Sequence, residues 1–272
     1  GKIRSLVDLR SGCEWMWENP TLPQSRPEYG QKYETFLDTG GWDELFPTVA
    51  PCEIEGISVP DHGDLVSLPW EVTGETGAVL AMRCRARSLP VMTERVVSLA
   101  EDAAAFVLAY TLRNESDRAW PFLVATHPLI PLQRGAQLEL PDDLVFNVAA
   151  ALGSVKTGET IRAGELNSIL ANEPPGWAMK LFSEPRKVRE VGFRRPGGAR
   201  LKMAWDPDLL PILGLWVNAG CWSGSGGEPY RNIGIEPGNA SCDALSEAVL
   251  EGTAGSLEPG EVREWEIRVE LT

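Results

Sequence analysis

The stretch GEVREWEIRVELT, residues 260–272, alternates apolar and charged side chains along most of its length. Its apolar residues are separated by charged ones and are Val262, Trp265, Ile267, Val269 and Leu271. A period of two places apolar side chains on one face of a strand and charged side chains on the other. The stretch therefore predicts an antiparallel β-strand with one face in a core and the other in water.

The same alternation recurs along the chain. It is present in ARLKMAWD, residues 199–206, and in AAAFVLAYTLRNESD, residues 103–117. Clusters rich in glycine and proline, such as RRPGGAR and SLEPGE, separate these runs and mark turns. Many strand-like runs joined by turns indicate an all-β protein, and we predict a large antiparallel β-sandwich.

Helical patterns are scarce in this sequence. Only SCDALSEAV, residues 241–249, is predicted to be helical, as a short helix with Ser241 as its N-cap. No linker, composition shift or internal repeat divides the chain. We therefore predict a single domain over residues 1–272 with very little helix.

Composition and charge restrict the class of partner. The chain has 272 residues, 43% of them hydrophobic, and includes ten tryptophans, which is enough for a large core. Its net charge of −14 would repel phosphate, so we expect no nucleic-acid partner and no anionic membrane partner. No apolar run approaches the ~20 residues that a membrane span needs. No signal peptide precedes Gly1, and because the chain starts abruptly in a strand-like pattern we expect native residues upstream.

The five cysteines are odd in number and widely spaced, and no two of them form a CxxC pair. This pattern does not match a zinc site or a redox motif. Free, mostly buried thiols in a reducing compartment are the simplest interpretation, and we predict a cytoplasmic protein.

The chain contains only two histidines. His62 lies in PDHGDL, a polar loop between two strand-like runs. The alternative to a functional role is that His62 is a solvated turn residue. His127 lies in ATHPLIPL after the apolar run 120–126, and the following Pro128 suggests that a strand ends or bulges there. A hydrogen-bonded core histidine is the alternative interpretation for His127.

A third polar segment combines an acidic residue with aromatic residues. Glu236 interrupts the apolar stretch NIGIEP, and a buried carboxylate is costly unless it has a partner or a task. Trp216 and Trp222, with Asn218 between them, suit a sugar, because aromatic rings cover its C–H face while amides bind its hydroxyls. The alternative is that these tryptophans belong to the core.

The segments PDHGDL, ATHPLIPL and NIGIEPGNASCDAL, in this order, resemble the galactose mutarotase-like superfamily, which contains the aldose 1-epimerases. The opening segments KIRSLVDLRSGCEWMW and TGGWDELFPTVAPC are similar to bacterial members of that superfamily. The resemblance spans essentially the whole chain and implies a large β-sandwich. It further implies Glu236 as catalytic base, His127 as acid at the sugar ring oxygen and His62 as a ligand of the same end of the sugar. It implies no metal and no organic cofactor.

The sequence also departs from that family. Where the family has a substrate-binding aspartate, the strand-like GWAMKLFSE places Lys180, and the arginine that is typical before the HG pair is absent. Lys180, with Arg95, would favour a phosphorylated or acidic sugar. Lys180 could equally pair with Asp43 or Glu44 and leave a site for a neutral sugar. We therefore assign Asp43, Glu44, Arg95 and Lys180 to the substrate-binding set, and leave open a monosaccharide or a sugar phosphate as ligand.

Two other functional classes remain open at this level. A non-catalytic carbohydrate-binding protein on the same scaffold would keep the tryptophans without needing Glu236. A glycoside hydrolase or lyase would need a second carboxyl group, for which Asp61, Asp64 and Asp43 are candidates. The oligomeric state is left open between a monomer and a homodimer.

Overall fold

The computed structural model describes residues 1–25, 27–153, 156–172, 176–224 and 226–272. Strands make up 46% of the structure and helices 8%, so the all-β prediction is confirmed. The strands are, in chain order, β1 (Val7–Asp8), β2 (Cys13–Glu14), β3 (Trp42–Leu45), β4 (Cys52–Ile54), β5 (Ile57–Val59), β6 (Glu71–Glu75), β7 (Val79–Arg85), β8 (Val91–Leu99), β9 (Ala105–Asn114), β10 (Trp120–Phe122), β11 (Ala125–Pro131), β12 (Gln137–Glu139), β13 (Val145–Leu152), β14 (Thr160–Arg162), β15 (Ala178–Ser183), β16 (Glu190–Arg194), β17 (Arg200–Trp205), β18 (Ile212–Ala219), β19 (Arg231–Gly238), β20 (Gly255–Leu257) and β21 (Val262–Leu271). The helices are α1 (Ala163–Asn172), α2 (Leu245–Glu251) and a single π-helical turn, Tyr33–Leu37.

Two large antiparallel sheets form a sandwich. One has eight strands in the order β12-β16-β17-β21-β9-β8-β7-β6, and the other has seven in the order β14-β13-β15-β18-β19-β11-β3. The C-terminal stretch forms β21, which pairs with β17 and β9 inside the eight-stranded sheet. Trp265, Ile267, Val269 and Leu271 are buried as predicted, whereas Val262 is 39% exposed.

The main hydrophobic core lies between the two sheets, and alternation along each strand decides which side chains enter it. On β19, Ile233 and Ile235 pack into this core. Asn232, Gly234 and Glu236 therefore face the other side of the seven-stranded sheet. That outer face carries a second, smaller cluster that includes Leu45, Ala125 and residues of α2.

The helices differ from the prediction. The helix predicted over 241–249 begins at Leu245, and Ser241 does not cap it. The Leu245 N–H is donated to the Thr48 hydroxyl, 3.0 Å away, so a residue from another part of the chain satisfies this helix end. Helix α1 was missed in the sequence, although Ala163, Leu166 and Leu170 are buried at helical spacing. None of the described helices has the length and apolar character needed to cross a bilayer.

Strand β11 also corrects a sequence prediction, because it continues through His127 and Pro128. Pro128 lies opposite Trp42, whose N–H and C=O are both bonded to Ile3, at 2.8 and 3.0 Å. The backbone nitrogen of Pro128 therefore faces β19, where the missing N–H leaves one ladder bond unformed. The five cysteines form no disulfide, but only Cys84 and Cys242 are buried.

Candidate functional site

A pocket of about 260 Å³ opens on the outer face of the seven-stranded sheet. Its lining combines carboxylates, imidazoles, one ammonium group and several aromatic rings. The lining residues are Tyr33, Glu34, Asp38, Val49, Asp61, His62, His127, Leu129, Ala150, Lys180, Trp216, Trp222, Tyr230, Asn232, Glu236 and Asp243. The structure thus brings His62, His127 and Glu236 into one pocket with Lys180, Trp216 and Trp222.

Glu236 lies on β19, between β18 and β11, and is 2% exposed. Neighbouring glycines leave the space around its carboxylate open. A Cβ atom at Gly234 would lie 2.9 Å from Glu236 Oε1, and one at Gly214 would lie 3.3 Å from Glu236 Cβ. Oε2 accepts a hydrogen bond from the Lys180 ammonium, whereas Oε1 has no partner. A buried carboxylate oxygen therefore remains available to a ligand.

Lys180 extends from β15 into the pocket, and its side chain is 8% exposed. Besides Glu236 it pairs with Asp243, whose Oδ1 lies 3.2 Å from Nζ. Burial alone would lower the pKa of Lys180, but Asp243 and Glu236 outweigh burial and hold that pKa above its usual value. The expected pairing with Asp43 or Glu44 is wrong, because the Lys180 side chain reaches across β18 to Glu236 on β19 and to Asp243, whereas β3 lies at the far edge of the sheet.

His127 is buried beside this ion pair. Its Nε2 lies 3.7 Å from Glu236 Oε1, and its Nδ1 has no hydrogen-bond partner. Burial lowers the pKa of His127 well below its usual value, and the nearby His62 and Lys180 lower it further. The imidazole is therefore neutral near pH 7, and its two ring nitrogens can make hydrogen bonds to a ligand.

His62 is held rigidly and is not a solvated turn residue. Its backbone has a φ of 59°, in the left-handed region, and the next residue, Gly63, has a φ of 73°. The His62 N–H is donated to the Val49 carbonyl at 2.7 Å. Its ring stacks on Tyr33 with centroids 3.6 Å apart, and Asp61 Oδ1 lies 2.8 Å from Nδ1. Because a carboxylate only accepts hydrogen bonds, Nδ1 carries the proton and Nε2 remains for a ligand.

Tyr33 is a site residue that the sequence reasoning missed. It begins the π-helical turn, and such turns are frequent at functional sites. Its N–H is donated to Asp61 Oδ2 and its hydroxyl to Asp43 Oδ2, each at 2.9 Å. Asp43 also pairs with Lys2 at 2.8 Å and lies outside the pocket lining. Asp43 therefore holds Tyr33 from behind and does not line this pocket.

Aromatic rings form one wall of the pocket. Trp216 and Trp222 are half-buried, with centroids 6.4 Å apart at 85°, and Tyr230 packs nearby against Trp17. Asn218 does not line the pocket, contrary to expectation. Its amide donates to the Trp222 carbonyl at 2.9 Å and accepts from the Trp222 N–H at 3.1 Å, so it anchors the loop that carries this ring.

Asn232 takes the place expected for Asn218. It lies opposite Asn218 in the β18–β19 pairing, but its side chain lines the pocket. The residue is 1% exposed, and neither amide atom has a partner. A buried amide without partners is costly, and a polar group of a ligand would satisfy it. The only indication in the sequence is its position two residues before Gly234 and four before Glu236.

Glu44 and Arg95 belong to the interior of the sandwich and not to the pocket, so their assignment to substrate binding is wrong. Arg95 Nη1 donates to Glu44 Oε1 at 2.9 Å, and the Tyr110 hydroxyl donates to the same oxygen at 2.7 Å. The pair links β8 of one sheet to β3 of the other. A charged residue on a buried strand can face either sheet surface, and the sequence alone did not distinguish them.

The structure also shows where the carboxyl groups that a hydrolase would need are located. Asp64 is fully buried and accepts bonds from Tyr29 and from the N–H groups of Arg87 and Ser88, so it is structural. Asp61 lines the pocket, but it is bonded to His62 and Tyr33. In the described ranges, no group of three or more His, Cys, Asp or Glu side chains is arranged to hold a metal ion.

Asp38 is a second site residue that was missed. It is 6% exposed, it accepts a hydrogen bond from the Tyr230 hydroxyl, and its Oδ1 has no partner. Burial raises the pKa of Asp38 from 3.8 to about 6, although Tyr230, Lys2 and His62 oppose the rise. The pocket therefore contains a carboxyl group whose charge changes just below neutral pH.

Replacing Asp38 by asparagine is expected to flatten the pH dependence of stability. Folded Asp38 holds its proton more tightly than the unfolded chain, so its contribution to stability is complete below a pH of about 4 and is lost as the pH rises through about 6. A pKa difference of roughly two corresponds to about 3 kcal/mol at most. Urea unfolding between pH 4 and pH 7 should show a larger fall for the wild type than for Asp38→Asn. Identical pH profiles would contradict this account of Asp38.

Solved structures resemble the whole chain. A galactose mutarotase-like protein from Lactobacillus casei is 14% identical, with a TM-score of 0.63, and the match covers 100% of this chain and 94% of that one. A galactose mutarotase-like protein from Clostridium acetobutylicum is 12% identical, with a TM-score of 0.66, over 100% and 89%. An Escherichia coli protein provisionally assigned as an aldose 1-epimerase is 16% identical, with a TM-score of 0.63, over 97% and 93%.

No protein-family model matches the chain, and the comparison with curated proteins finds no similar sequence. At identities of 12–16%, the likeness concerns the arrangement of strands and not the chemistry of the pocket. Near-complete coverage and the all-β content agree with the fold that the three sequence segments indicate. The chain has the galactose mutarotase-like fold.

Proposed function

We propose that this protein is an aldose 1-epimerase-like enzyme that interconverts the α and β anomers of a free sugar. The observation that carries the proposal is Glu236, a buried carboxylate with one unpartnered oxygen, in the same pocket as two imidazoles. A volume of about 260 Å³ suits a single sugar ring, since pockets for drug-sized ligands usually start near ~300 Å³. The half-buried Trp216 and Trp222 offer aromatic faces to its C–H groups.

The chemistry requires a base and a proton donor. The base removes the proton of the hydroxyl on C1, the bond between C1 and the ring oxygen breaks, and the ring oxygen gains a proton. The open-chain carbonyl then turns about the C1–C2 bond, and closure reverses the proton transfers. Glu236 is the proposed base, because its Oε1 has no hydrogen-bond partner in the pocket and its Oε2 is paired with the Lys180 ammonium.

The two histidines are proposed to bind the reacting end of the sugar. The His62 ring is fixed by Tyr33 and Asp61, so its Nε2 is pre-oriented toward a hydroxyl. His127 lies next to His62, with ring centroids 5.7 Å apart, and its Nε2 is 3.7 Å from Glu236 Oε1. The sequence resemblance implies His127 as the acid, but its lowered pKa makes it a poor proton source near pH 7. We therefore propose that neutral His127 orients the substrate.

The charges of the pocket favour a neutral sugar over a sugar phosphate. Five carboxylate residues line it: Glu34, Asp38, Asp61, Glu236 and Asp243. Among the described residues that line the pocket, Lys180 is the only lysine or arginine, and two of those carboxylates already pair with it. A phosphate group would meet like charges in a partly dry site, which is costly.

We expect neutral aldoses to exchange anomers faster in the presence of the protein, and we expect kcat/KM for their 6-phosphates to be at least ~10-fold lower, a difference of about 1.4 kcal/mol. Magnetisation-transfer NMR on matched pairs of free and phosphorylated hexoses measures both. Faster exchange of the phosphates would contradict the neutral-sugar assignment. Binding of an aldose without faster anomer exchange would instead identify a carbohydrate-binding protein. Release of new reducing ends from glycosides would identify a hydrolase.

A further inference from the structure

The proposed ring opening leaves one proton without a source. The ring oxygen must be protonated as the bond to C1 breaks, yet His127, whose position would suit this role, is neutral in the pocket. Asp61 is occupied by His62 and Tyr33. Among the lining residues, the group that carries protons and lies next to the base is the Lys180 ammonium.

The geometry of Glu236 and Lys180 matches the geometry of a hemiacetal. Oε2 of Glu236 is bonded to Lys180 Nζ, while Oε1 has no hydrogen-bond partner. In the sugar, the C1 hydroxyl oxygen and the ring oxygen are attached to the same carbon and are therefore close neighbours. An acceptor and a donor held side by side can reach two such oxygens at once. This arrangement depends on Gly234, where any Cβ would lie 2.9 Å from Oε1.

We propose that Lys180 is the catalytic acid, so that Glu236 and Lys180 work as a base–acid pair on the two oxygens of C1. This role rests on the proposed anomerase function. In ring opening, the C1 hydroxyl proton moves to Glu236 and the electron pair of the bond between C1 and the ring oxygen moves to that oxygen. A proton from Lys180 Nζ completes the new C5 hydroxyl and leaves a neutral amine. Closure returns both protons, so neither residue is consumed.

The surroundings of Lys180 make this transfer reasonable. Two carboxylates, Glu236 and Asp243, stabilise the ammonium. When Glu236 accepts the sugar proton it becomes neutral, and Lys180 loses one of its two counter-charges at that moment. Its proton is then held less tightly, while the ring oxygen is becoming a strong base. Asp243, 3.2 Å away, remains as the second partner and keeps Nζ in position.

The test is proton-donor rescue in Lys180→Ala. We expect kcat for anomer exchange to fall about 10²- to 10⁴-fold, with a smaller change in KM, and to recover partly when methylammonium is added. Tetramethylammonium has the same charge but no proton to donate, and it should not rescue. Lys202→Ala is the matched control, because Lys202 lies on β17 of the other sheet and pairs with Glu190. Lys202→Ala should catalyse anomer exchange at the wild-type rate.

Two results would overturn the role of Lys180: a Lys180→Ala rate close to wild type, or equal rescue by both cations, which would assign Lys180 to charge alone. If Lys180→Ala does not fold, Lys180→Arg decides, because arginine keeps the charge but does not release its proton. Lys180→Arg should fold and remain at least ~10-fold slow, a barrier increase of about 1.4 kcal/mol, and wild-type activity in it would also overturn the role. A wild-type protein that accelerates no aldose would instead overturn the proposed function, and this role with it.

Discussion

Glu236→Gln should slow anomer exchange about 10²- to 10⁴-fold, which is the usual contribution of a positioned acid–base group. Glutamine keeps the size of the side chain and can still accept a bond from Lys180, but it cannot take the proton of the C1 hydroxyl. Sugar affinity should change much less, because Trp216, Trp222 and Asn232 are untouched. Exchange NMR gives the rate, and calorimetric titration of the same sugar gives the affinity.

Glu184→Gln is the control for this experiment, since Glu184 is exposed and lies outside the pocket. The ion pair also predicts a loss of stability in Glu236→Gln, because Lys180 then keeps only Asp243 as a charged partner. The loss should stay below the ~3–5 kcal/mol that a fully orphaned buried charge costs. If Glu236→Gln exchanged anomers at the wild-type rate, Glu236 would not be the base.

Arg95→Met is expected to lower the free energy of unfolding by about 3–5 kcal/mol, because it leaves the buried Glu44 carboxylate without its cation. Arg95 is 2% exposed and Glu44 is 7% exposed, and burial raises the pKa of Glu44 even with Arg95 present. Both side chains lie between the sheets, so anomer exchange at 25 °C should be unchanged as long as the protein is folded. Urea unfolding of the variant measures the loss.

The double variant Arg95→Met, Glu44→Leu should regain much of that stability, since both charges are removed together. Arg83→Met serves as the comparison, because the Arg83–Glu71 bridge is exposed and should contribute little. If Arg95→Met left stability unchanged and instead abolished sugar binding, then Arg95 would belong to the site after all.

The alternation of apolar and charged residues was sufficient to predict the strands. In β21 it identified the buried face from Trp265 to Leu271, and the same rule applied to β17. Period two cannot say which surface of a sheet a polar residue faces. For that reason Glu44 and Arg95 looked like site residues, although they link the two sheets inside the sandwich.

Only part of the candidate site was predictable from the sequence. His62, His127 and Glu236 stand out because histidine is rare in this chain and a carboxylate is costly inside a strand. Tyr33 and Asp38 reach the pocket from a turn far away in the sequence. Their roles depend on tertiary contacts, a stack on His62 and a bond from Tyr230, which no local pattern encodes.

Helix α1 was not predicted, for a different reason. Its buried residues have helical spacing, and Glu165 Oε2 accepts the Arg162 N–H at 2.8 Å, which helps to start the helix. These features are visible in the sequence but short, and the strand-like patterns around them dominated the interpretation. Helix α2 was found but placed too early, because Thr48, 197 positions away, provides the bond that begins it.

The most direct measurement is the rate at which the wild-type protein interconverts the α and β anomers of the neutral aldose that it binds most tightly, followed by exchange NMR near neutral pH. The account predicts a rate that rises in proportion to protein concentration and falls to the buffer rate in Glu236→Gln. Tight binding of that sugar with anomer exchange no faster than in buffer would contradict the proposed enzyme and leave a carbohydrate-binding protein.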